Sequence, residues 1–552
     1  MIDISTLRRK IGAPIDRAIV EAQAAAALAG AGAIGWKEPR SILKTLQAMN
    51  KFGAVGGGIV NAALRHGDRI GVIDDRGTLT FRDLDERSNA LAAALADRGV
   101  REGATIGLLA RNHRGLLDAS FAAAKGGLRL LYLNTDFAGP QASDVCEREG
   151  VDLLIVDEEF LPVVDGIEVA HGTFVAWTDT DPVDDRVGGR ETLESLIASG
   201  DRGERPAPAR HGAVVILTSG TTGLPKGAPR SQPKSLAGPG AVVSKIPFHD
   251  GGRVYVGPPL FHAWGLLTAM LAISTGSTLI LTRRFDATRA LDLMEEHRAT
   301  GLVVVPVMLS RMLALDDSGP ASRRLGQLRF IASSGAQLES SLAIATMDAF
   351  GDVLYNFYGS TEVACAAIAT PEDLRANPSS VGKPPIGSTV RLYDDAGREV
   401  PAGATGRIFV GNSLSFEGYT GGGDKDRIGN LVSTGDVGHW DSGGRLVIDG
   451  RDDDMIVSGG ENVFPAEVED LLAGHEAVME VAVIGVKDKE LGQRLRAFIV
   501  VRAGMTLTEQ GVRDYVKANL ARYKVPKTVV FLDELPRNPT GKVLKRVLRD
   551  WD

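Results

Sequence analysis

The segment ILTSGTTGLPKGAPR, from Ile216 to Arg230, decides how the rest of the sequence is interpreted. Its first two residues end the apolar run Ala213–Leu217, which is typical of a buried strand. Its glycines allow a backbone to close around phosphate oxygens, and its hydroxyls and Lys226 supply donors and positive charge. It is not a Walker A loop, because Gly227 rather than serine or threonine follows the lysine. The segment therefore predicts a phosphate-binding loop directly after a strand.

The composition narrows the class of protein. A chain of 552 residues is too long for one hydrophobic core, so several domains are expected. The formal net charge of -8 disfavours a nucleic-acid-binding surface, because neutralising phosphates requires clustered lysine and arginine. The two cysteines, Cys146 and Cys365, can form neither a disulfide framework nor a zinc site, which favours a cytoplasmic protein.

Two apolar stretches imitate membrane or cofactor signals. Ala22–Trp36 is short and contains a formal G-x-G-x-x-G, but a helix-like, alanine-rich run precedes it where dinucleotide binding needs a strand. Ala263–Leu281 carries no charge and is interpreted as a buried helix followed by a strand. We therefore expect a soluble chain, and peripheral membrane contact through Ala22–Trp36 is kept as a hypothesis.

From Leu79 onward, apolar runs alternate with helical patterns. Thr80 followed by Asp83 predicts a capping box at the start of a helix that ends at Gly99. Strand-like runs recur between helical stretches at 106–109, 130–133, 153–156, 214–217, 254–256, 303–305 and 329–332. This alternation predicts an α/β fold, with a large N-terminal domain of layered α/β subdomains around buried sheets.

The composition of the sequence changes near residue 450, where the short segment Gly450–Asp454 is very polar. The following pattern predicts a small α+β domain, with a helix near Pro465, strands at Val481–Val486 and Ala497–Val501, and a helix whose capping box pairs Thr506 with Glu509. We therefore expect an N-terminal domain over 1–449 with an Ala-rich extension over 1–50, a hinge over 450–453, and a small mobile C-terminal lid over 454–552.

Five polar blocks follow one another along the chain: Thr218–Lys226, Tyr358-Gly-Ser-Thr-Glu362, Ser433-Thr-Gly-Asp436, Gly450-Arg-Asp-Asp453 and Pro539-Thr-Gly-Lys542. In this order and spacing they resemble the adenylate-forming superfamily of acyl-CoA synthetases, adenylation domains and luciferases. The resemblance runs from about Leu64 to the C-terminus. It implies that a carboxylate attacks the α-phosphate of ATP, that pyrophosphate leaves, and that a thiol then takes the acyl group and releases AMP.

The resemblance also implies which residues bind ATP. A carboxylate is already a nucleophile, so cations and N–H donors rather than a general base carry the first step. Lys226 would hold the β- and γ-phosphates, Glu362 with Thr218 would ligate Mg²⁺, and Lys542 would bind the reacting carboxylate and the α-phosphate. Further ATP contacts would come from Ser219, Gly220, Thr221, Thr222 and Gly223 of the loop, from Gly335, Ala336, Asn356, Tyr358, Gly359, Ser360 and Thr361 around adenine and the pocket, and from Asp436 and Arg451 at the ribose.

Coenzyme A is the thiol substrate that the resemblance implies. Asp453 matches the hinge about which the small domain rotates, and Ser458, Gly459 and Gly460 match the segment beside the thiol. His262, in Pro259-Leu-Phe-His-Ala-Trp-Gly265, matches the aromatic gate of coenzyme A ligases. The same position disfavours an amino-acid adenylation domain, since those domains typically carry an aspartate there to pair the substrate amine.

The substrate acid is less well determined. Gly359 stands where acetyl-CoA synthetases place a tryptophan, and together with the apolar wall Trp264–Leu271 this favours a fatty acid. Arg407 and His439 depart from the family pattern, which usually has an acidic residue and a tyrosine there. An aryl-acid–CoA ligase, an acyl-AMP ligase that loads a carrier protein, and a homodimer remain open alternatives. A non-catalytic nucleotide sensor is disfavoured by the intact Lys542, Glu362 and Asp436.

Overall fold

The computed structural model describes residues 4–35, 39–179, 186–218, 226–230, 235–315, 318–412, 425–452, 456–458, 461–488, 492–539 and 541–551. The chain divides into two compact units. The first comprises Met1–Val304, Ser322–Ile331 and Asn412–Asp424, and the second comprises Val305–Ala321, Ala332–Gly411 and Lys425–Asp552.

The first unit alternates helices and strands. Its helices are α1 (Ile4–Gly30), α2 (Pro39–His66), α3 (Phe81–Asp97), α4 (Arg114–Lys125), α5 (Gly139–Glu149), α6 (Leu193–Ser199), α7 (Ala237–Val243), α8 (Ala263–Ser274) and α9 (Ala287–Glu296). Its strands are β1 (Ile70–Asp74), β2 (Gly77–Thr80), β3 (Thr105–Leu109), β4 (Arg129–Tyr132), β5 (Leu153–Asp157), β6 (Thr173–Trp177), β7 (Arg186–Val187), β8 (Arg190–Glu191), β9 (Val214–Thr218), β10 (Lys226–Arg230), β11 (Arg253–Val256), β12 (Thr278–Ile280) and β13 (Gly301–Val304).

Two mainly parallel strand arrays organise this unit. Six strands pair in the order β10-β9-β4-β3-β5-β6, all parallel except β9 with β10. Five strands pair in the order β13-β11-β12-β1-β2, all parallel except β1 with β2. Strands β3 and β5 are buried at every position, as expected of parallel strands covered on both faces. The mixed α/β architecture predicted from the sequence is confirmed.

Local signals in this unit are satisfied as the sequence predicts. Thr80 caps α3 by accepting a hydrogen bond from the Asp83 backbone N–H, and the Asp83 carboxylate accepts from the Thr80 N–H, which completes the capping box. Gly99 follows the helix with a φ of 86°, a conformation that favours glycine. The uncharged stretch from Ala263 onward forms the helix α8 and then the strand β12.

The N-terminal extension packs against the rest of its unit. Ala24 and Leu28 of α1 are buried, and a Cβ on Gly240 of α7 would lie 2.5 Å from the Ala24 Cβ. The Glu21 carboxylate accepts a hydrogen bond from the backbone N–H of Leu236, at the start of α7. Helix α7 therefore covers Ala24, within the stretch Ala22–Trp36 that motivated a membrane hypothesis; Trp36 lies outside the described residues. Among the described residues, every helix is too short or too polar to cross a membrane.

The second unit holds the remaining elements. Its helices are α10 (Pro306–Leu313), α11 (Ser340–Phe350), α12 (Pro371–Ala376), α13 (Pro465–Ala473), α14 (Glu509–Asn519) and α15 (Lys545–Arg549). Its strands are β14 (Phe330–Ser333, of which the first two residues count with the first unit), β15 (Leu354–Ser360), β16 (Ala364–Ala369), β17 (Ser380–Gly382), β18 (Thr389–Tyr393), β19 (Gly406–Gly411), β20 (Arg427–Ile428), β21 (Leu431–Trp440), β22 (Leu446–Arg451), β23 (Ile456–Ser458), β24 (Glu461–Val463), β25 (Val478–Asp488), β26 (Gly492–Val501) and β27 (Thr528–Phe531).

Mainly antiparallel pairing distinguishes the second unit. Strands pair in the order β17-β22-β21-β19-β18 in one sheet and β24-β23-β26-β25 in another, where β27 joins β26 in parallel. The second of these sheets packs with α13 and α14 around a core of its own that includes Val468, Val483 and Val512. A smaller C-terminal domain is therefore present, as the sequence predicts.

One helix boundary was predicted wrongly. Thr508 rather than Thr506 caps α14, and its side chain accepts from the Gly511 N–H. Leu507 precedes this cap and packs against the core that contains Val512, four residues into the helix. This arrangement is a hydrophobic staple, which sets where the chain enters the helix. Burial of Leu507 therefore outweighed the Thr506–Glu509 spacing.

Candidate active site

A pair of adjacent strands positions the residues predicted to hold a ribose. Asp436 of β21 lies directly opposite Arg451 of β22, and the Arg451 Nη1 lies 3.4 Å from the Asp436 Oδ1. Gly435 has a φ of 80°, and a Cβ there would lie 3.3 Å from the Arg451 guanidinium. The backbone conformation therefore favours glycine, and a side chain there would also crowd the arginine. The two predicted ribose ligands are brought together.

Tyr358 of β15 joins this pair. Its hydroxyl donates a hydrogen bond of 2.5 Å to the Asp436 Oδ2, and burial together with the neighbouring carboxylate raises the tyrosine pKa well above its ordinary value. Burial also raises the pKa of Asp436, although Tyr358, Arg451 and Lys542 act in the opposite direction. The side chain of Asp436 keeps 15% of its surface exposed. A largely buried carboxylate with one short hydrogen bond and one cation at 3.4 Å keeps lone pairs that can accept donors from a diol.

The lysine near the C-terminus is carried by a tight turn. The Asn538 carboxamide accepts from the Lys542 N–H, and the Asn538 N–H donates to the Lys542 carbonyl. Gly541 has a φ of 78°, and a Cβ there would lie 2.6 Å from the Val307 Cγ1. Arg537 braces the turn by donating to the Gly541 carbonyl. The turn thus presents Lys542 from a fixed backbone, and the lysine side chain is exposed.

Three blocks that are distant in sequence meet around Val305. A Cβ on Gly541 would lie 3.2 Å from the Val305 Cγ2, and a Cβ on Gly335 would lie 3.2 Å from the Val305 Cγ1. The lysine turn and the loop Ser333–Ala336 therefore pack on opposite methyl groups of one valine. The charge of Lys542 also opposes the rise that burial causes in the pKa of Asp436. The second unit therefore assembles Gly335, Asp436 and Lys542 into one neighbourhood.

The candidate magnesium ligand lies at the β15–β16 turn. The Ser360 hydroxyl donates to the Glu362 Oε2 at 2.8 Å and accepts from the Glu362 N–H, so the carboxylate is oriented by its own turn. No cluster of three or more metal-binding side chains occurs among the described residues. Mg²⁺ needs no such cluster, because it commonly takes one or two carboxylates together with water and substrate phosphates. Glu362 therefore fits the predicted role, in which the ion would neutralise charge on the phosphate oxygens.

Gly359 has a structural explanation that differs from the predicted one. A Cβ at Gly359 would lie 1.8 Å from the carbonyl oxygen of Ala364, where β15 and β16 pair with a register shift. Ala364 itself has a positive φ of 53°. The close approach of the two strands requires glycine at position 359 in this backbone. The absence of a side chain there is therefore not evidence for a large acyl pocket.

Asn356, which is predicted to bind the nucleotide, and Ser333, which precedes the predicted pocket residues Gly335 and Ala336, are both buried in the same unit. Asn356 of β15 is 6% exposed, and Ser333 at the end of β14 is fully buried. The Ser333 hydroxyl has no hydrogen-bond partner among the described residues. An unpaired buried hydroxyl is costly in an empty protein and is explained if a ligand supplies the partner. Thr361 and Ala336 are partly exposed on the adjoining turns.

The predicted phosphate loop joins the ends of an antiparallel strand pair in the first unit. Thr218 and Lys226 lie directly opposite each other at the ends of β9 and β10. Ser219, Gly220, Thr221, Thr222 and Gly223 lie outside the described residues. The predicted strand before the loop is β9 and pairs with the parallel strand β4. The backbone therefore supports a loop at the end of a parallel strand, where α/β folds commonly bind ligands.

His262 begins helix α8 in the first unit. Burial lowers the pKa of its imidazole to about 4, so the ring is neutral at physiological pH. The His262 Nε2 is buried and has no hydrogen-bond partner in the part of the chain that the structure describes. The centroid of the ring lies 4.5 Å from that of Phe261, and the two ring planes are tilted by 45°. No hydrogen bond to a described residue holds the neutral ring through its Nε2, which is compatible with the predicted gate.

The predicted hinge and coenzyme A segment are described only in part. Asp453, Gly459 and Gly460 lie outside the described residues. The Ser458 backbone pairs with Glu461 across β23 and β24. The roles of these residues in domain rotation and thiol binding remain predictions.

Both departures from the family pattern have local partners. The Arg407 guanidinium donates to Asp452 at 3.0 Å and to Asp426 at 2.7 Å. The His439 Nδ1 lies 2.8 Å from the Asp449 Oδ1. The reversed charge at position 407 is therefore neutralised by two aspartates. These substitutions change local contacts and leave the Asp436 neighbourhood intact.

Comparison with known proteins identifies the family to which the chain belongs. The profile of the family described as AMP-binding enzyme matches residues 59–420, and the profile of its C-terminal domain matches residues 467–542. The chain belongs to the AMP-binding enzyme family. It is an AMP-forming ligase that uses ATP to activate a carboxylic acid. The family thereby confirms the resemblance inferred from the five motifs.

Individual relatives differ in substrate and acceptor. The chain is 31% identical over 496 residues to the fatty acid–[acyl-carrier-protein] ligase ScoC of Streptomyces coeruleorubidus, covering 86% of this chain and 91% of that protein. It is 35% identical over 486 residues to the indoleacetate–CoA ligase of Aromatoleum aromaticum, covering 85% and 92%. The crystal structure of the anthranilate CoA ligase AuaEII with anthranoyl-AMP superposes with a TM-score of 0.81 at 26% identity, covering 90% and 96%.

Some residues that shape the site carry no motif signal. Val305 and Val307 support the lysine turn, but the sequence does not distinguish them from other apolar residues of the core. Asn112 is buried after strand β3 and hydrogen-bonds the segment before His262. Its position after the carboxyl end of a predicted parallel strand is a signal that could have identified it.

Proposed function

We propose that this enzyme joins a carboxylic acid with a bulky apolar body to coenzyme A, through an acyl-adenylate. In the first step a carboxylate oxygen bonds to the α-phosphorus of ATP while the bond to pyrophosphate breaks. In the second step the coenzyme A sulfur bonds to the acyl carbon, AMP leaves, and the thiol proton is released to solvent. The observation that carries the proposal is the assembly of Asp436, Arg451, Tyr358 and Lys542 in one neighbourhood.

Each residue has a defined task in the proposed first step. Asp436 accepts hydrogen bonds from the ribose hydroxyls, and Tyr358 keeps its carboxylate in one orientation through the 2.5 Å bond. Lys542 supplies a positive charge where the carboxylate and the α-phosphate, both anions, must meet. Glu362 would hold Mg²⁺ and thereby place the β- and γ-phosphates. Lys226 of β10 would bind the same phosphates.

The acid itself is proposed at two levels. A fatty acid is the first candidate, because α8 offers an apolar wall in which Trp264, Leu266 and Leu271 are buried. An arylalkanoic acid is the second candidate, because the indoleacetate–CoA ligase is 35% identical over most of both chains. Gly359 does not decide between them, since glycine there is required by the pairing of β15 with β16.

The acceptor is proposed to be coenzyme A rather than a carrier protein. His262 occupies the position of the gate in coenzyme A ligases, and its buried neutral ring suits a group that must move to admit a thiol. The ScoC relative transfers its acyl group to an acyl carrier protein, so the alternative acceptor belongs in the same experiment.

The test measures AMP release from ATP and Mg²⁺ with fatty acids from C2 to C18, benzoates and indole-3-acetate. Each acid is assayed with no acceptor, with coenzyme A and with a phosphopantetheinylated carrier protein. Multiple turnovers that require coenzyme A and one class of acid are the expected result. Turnover that requires the carrier protein would instead establish an acyl-carrier ligase, and AMP release that is independent of every acid would contradict the proposal.

A lysine variant provides the control for the chemistry. Lys542→Ala should lower acid-dependent pyrophosphate exchange about 10²- to 10³-fold, because one preorganised cation facing developing charge is removed. Lys527→Ala is the matched control, since Lys527 is an exposed lysine of the same small domain. Equal rates for the two variants would contradict the assignment of Lys542.

A further inference from the structure

Asn112 clasps the chain segment that leads to His262. It lies three residues after β3 and is 4% exposed. Its Nδ2 donates to the Pro258 carbonyl at 3.0 Å, and its Oδ1 accepts from the Leu260 N–H at 2.7 Å. Pro259 lies between these two groups and has no N–H to donate. One carboxamide therefore satisfies the polar backbone groups on both sides of a proline.

The clasped segment turns sharply into helix α8. The His262 N–H donates to the Pro259 carbonyl at 3.1 Å. A Cβ on Gly265 would lie 2.4 Å from the Pro259 oxygen and 2.8 Å from the Pro258 oxygen. The first turn of the helix therefore lies directly against the two prolines. Any displacement of the Pro258–Leu260 backbone must move the start of α8.

The side chain of His262 depends on this backbone for its position. Its Nε2 makes no hydrogen bond within the described part of the chain. Its nearest ring neighbour is Phe261, which belongs to the same turn. On the far side, the Trp264 Nε1 donates to the Val304 carbonyl at 3.1 Å. The segment is thus fixed by Asn112 before the histidine and by Trp264 after it, and the imidazole lies between these two anchors.

We infer that Asn112 is a positioning residue for the thioester-forming step, because it fixes the backbone that carries the His262 gate. The inference rests on the proposed function, in which His262 lies on the route of the thiol to the adenylate. It extends that function to a residue outside the ATP and coenzyme A motifs. Asn112 acts through the segment and touches no substrate.

The first test separates the two half-reactions in the full-length enzyme. Asn112→Ala should lower the ratio of coenzyme A-dependent thioester formation to acid-dependent pyrophosphate exchange by about 10- to 100-fold, because a reacting group displaced by about 1 Å loses rate of that order. The loss should appear in kcat for the thioester step more than in the KM for ATP. An unchanged ratio would overturn the inference.

A conservative variant makes the hydrogen bond itself titratable. Asn112→Asp keeps an acceptor for the Leu260 N–H, but an ionised carboxylate faces the Pro258 carbonyl, whereas a protonated one can donate to it. The thioester-to-exchange ratio of Asn112→Asp, relative to the natural enzyme, should therefore rise as pH falls from 8 to 6. A ratio that does not depend on pH would contradict a role for the donated bond.

A matched control removes an equivalent carboxamide elsewhere. Asn61 of α2 is 2% exposed, donates to the Ala33 carbonyl and accepts from the Thr45 hydroxyl. Asn61→Ala should cost stability without altering the ratio of the half-reactions. Equal ratios for the Asn61 and Asn112 variants would show that Asn112 is only structural.

Amide hydrogen exchange tests the clasp independently of activity. Asn112→Ala should speed exchange at Leu260 and His262 about tenfold or more, while Asn61→Ala leaves both unchanged. If the natural enzyme forms no AMP with any acid, the proposed function fails, whereas the clasp is judged on exchange alone. Unchanged exchange at both amides would overturn the inference whatever the activity.

Discussion

Two buried aspartates, one in each unit, show how a scaffold differs from a site. Asp118 of α4 is completely buried, and the Arg87 guanidinium binds its Oδ2 through Nη2 at 2.7 Å and Nε at 3.1 Å. Asp436 has its cation at 3.4 Å and its closest partner in the neutral Tyr358 hydroxyl. Burial raises the pKa of both carboxyls, and both are opposed by an arginine.

The difference lies in how completely each charge is matched. Arg87 lies at hydrogen-bond distance from the carboxylates of both Asp118 and Glu194, so the three side chains form one network. Such a network resists change but has little capacity for a new partner. Asp436 is less closely matched and partly exposed. A carboxylate can bind a substrate only where the protein leaves part of its hydrogen-bonding capacity to the ligand.

Removing the cation from the scaffold should have the largest effect. Arg87→Ala leaves Asp118 and Glu194 without their shared partner and should lower the free energy of unfolding by about 3–5 kcal/mol. Urea unfolding measures the change. Arg82→Ala on the same helix is the control, since the Arg82–Asp68 pair is exposed and should contribute at most about 1 kcal/mol. Equal losses for the two variants would contradict the comparison.

Neutralising the site carboxylate should affect binding rather than stability. Asp436→Asn keeps the shape of the side chain and an acceptor for the Tyr358 hydroxyl. It removes the negative charge that is proposed to accept hydrogen bonds from the ribose hydroxyls. The KM for ATP in pyrophosphate exchange should rise about 10- to 100-fold, since hydrogen bonds to a charged group contribute about 1.5–3 kcal/mol.

The control for this variant lies on the neighbouring strand. Asp449 of β22 pairs with His439 and accepts from the Thr405 hydroxyl, outside the Asp436 neighbourhood. Asp449→Asn should leave the KM for ATP within about twofold, as expected of a partly exposed pair. A rise in KM equal to that of Asp436→Asn would remove the distinction between the two carboxylates.

A third carboxylate, that of Glu339, extends the comparison, and its replacement should have the smallest of the three effects. Glu339 precedes α11, where the Ser340 N–H and hydroxyl bind Asp470 of α13. Burial and the nearby Glu469, Asp470 and Glu480 raise the Glu339 pKa to about 7, although Arg537 opposes them. Lys545 pairs with Glu469, and Arg537 pairs with Glu480. Here carboxylates outnumber the cations that face them.

The raised pKa of Glu339 determines the direction in which its contribution to stability changes with pH. The folded protein binds the Glu339 proton more tightly than the unfolded chain, so this group's contribution falls as pH rises from the ordinary glutamate pKa of about 4.3 to about 7. Glu339→Gln should therefore raise the free energy of unfolding by about 1–2 kcal/mol at pH 8 and much less at pH 5. Glu509→Gln, in an exposed pair with Arg513, is the control. A gain that is equal at both pH values would contradict this explanation.

Much of the fold could be predicted from local sequence. The Thr80–Asp83 capping box and the glycines after helices depend on hydrogen bonds and backbone conformations within a few residues, so the pattern alone identifies them. The start of α14 was predicted wrongly, because Leu507 is placed by a core formed from distant strands. Two threonines with equal capping ability could be distinguished only by that packing.

The candidate site divides along the same line. The five motif blocks carried enough information to name the family and the residues Asp436, Arg451 and Lys542. They could not reveal that Tyr358 holds Asp436 by a short hydrogen bond, or that Asn112 clasps the backbone before His262. The structural requirement for glycine at position 359 was hidden for a related reason. The Cβ direction there is set by the pairing with Ala364, which is a property of two strands.

The sequence by itself therefore determined the family, the reaction class and the alternation of helices and strands, and it supplied the site residues as predictions. Those features reside in residue types and short spacings, which are independent of how distant segments meet. Only the tertiary structure decided which carboxylate is saturated, which buried hydroxyl has no partner among the described residues, and which side chain holds the backbone before His262. These properties depend on distances of a few ångströms between residues that are far apart in the sequence, because hydrogen bonds and burial act over that range in space and not along the chain.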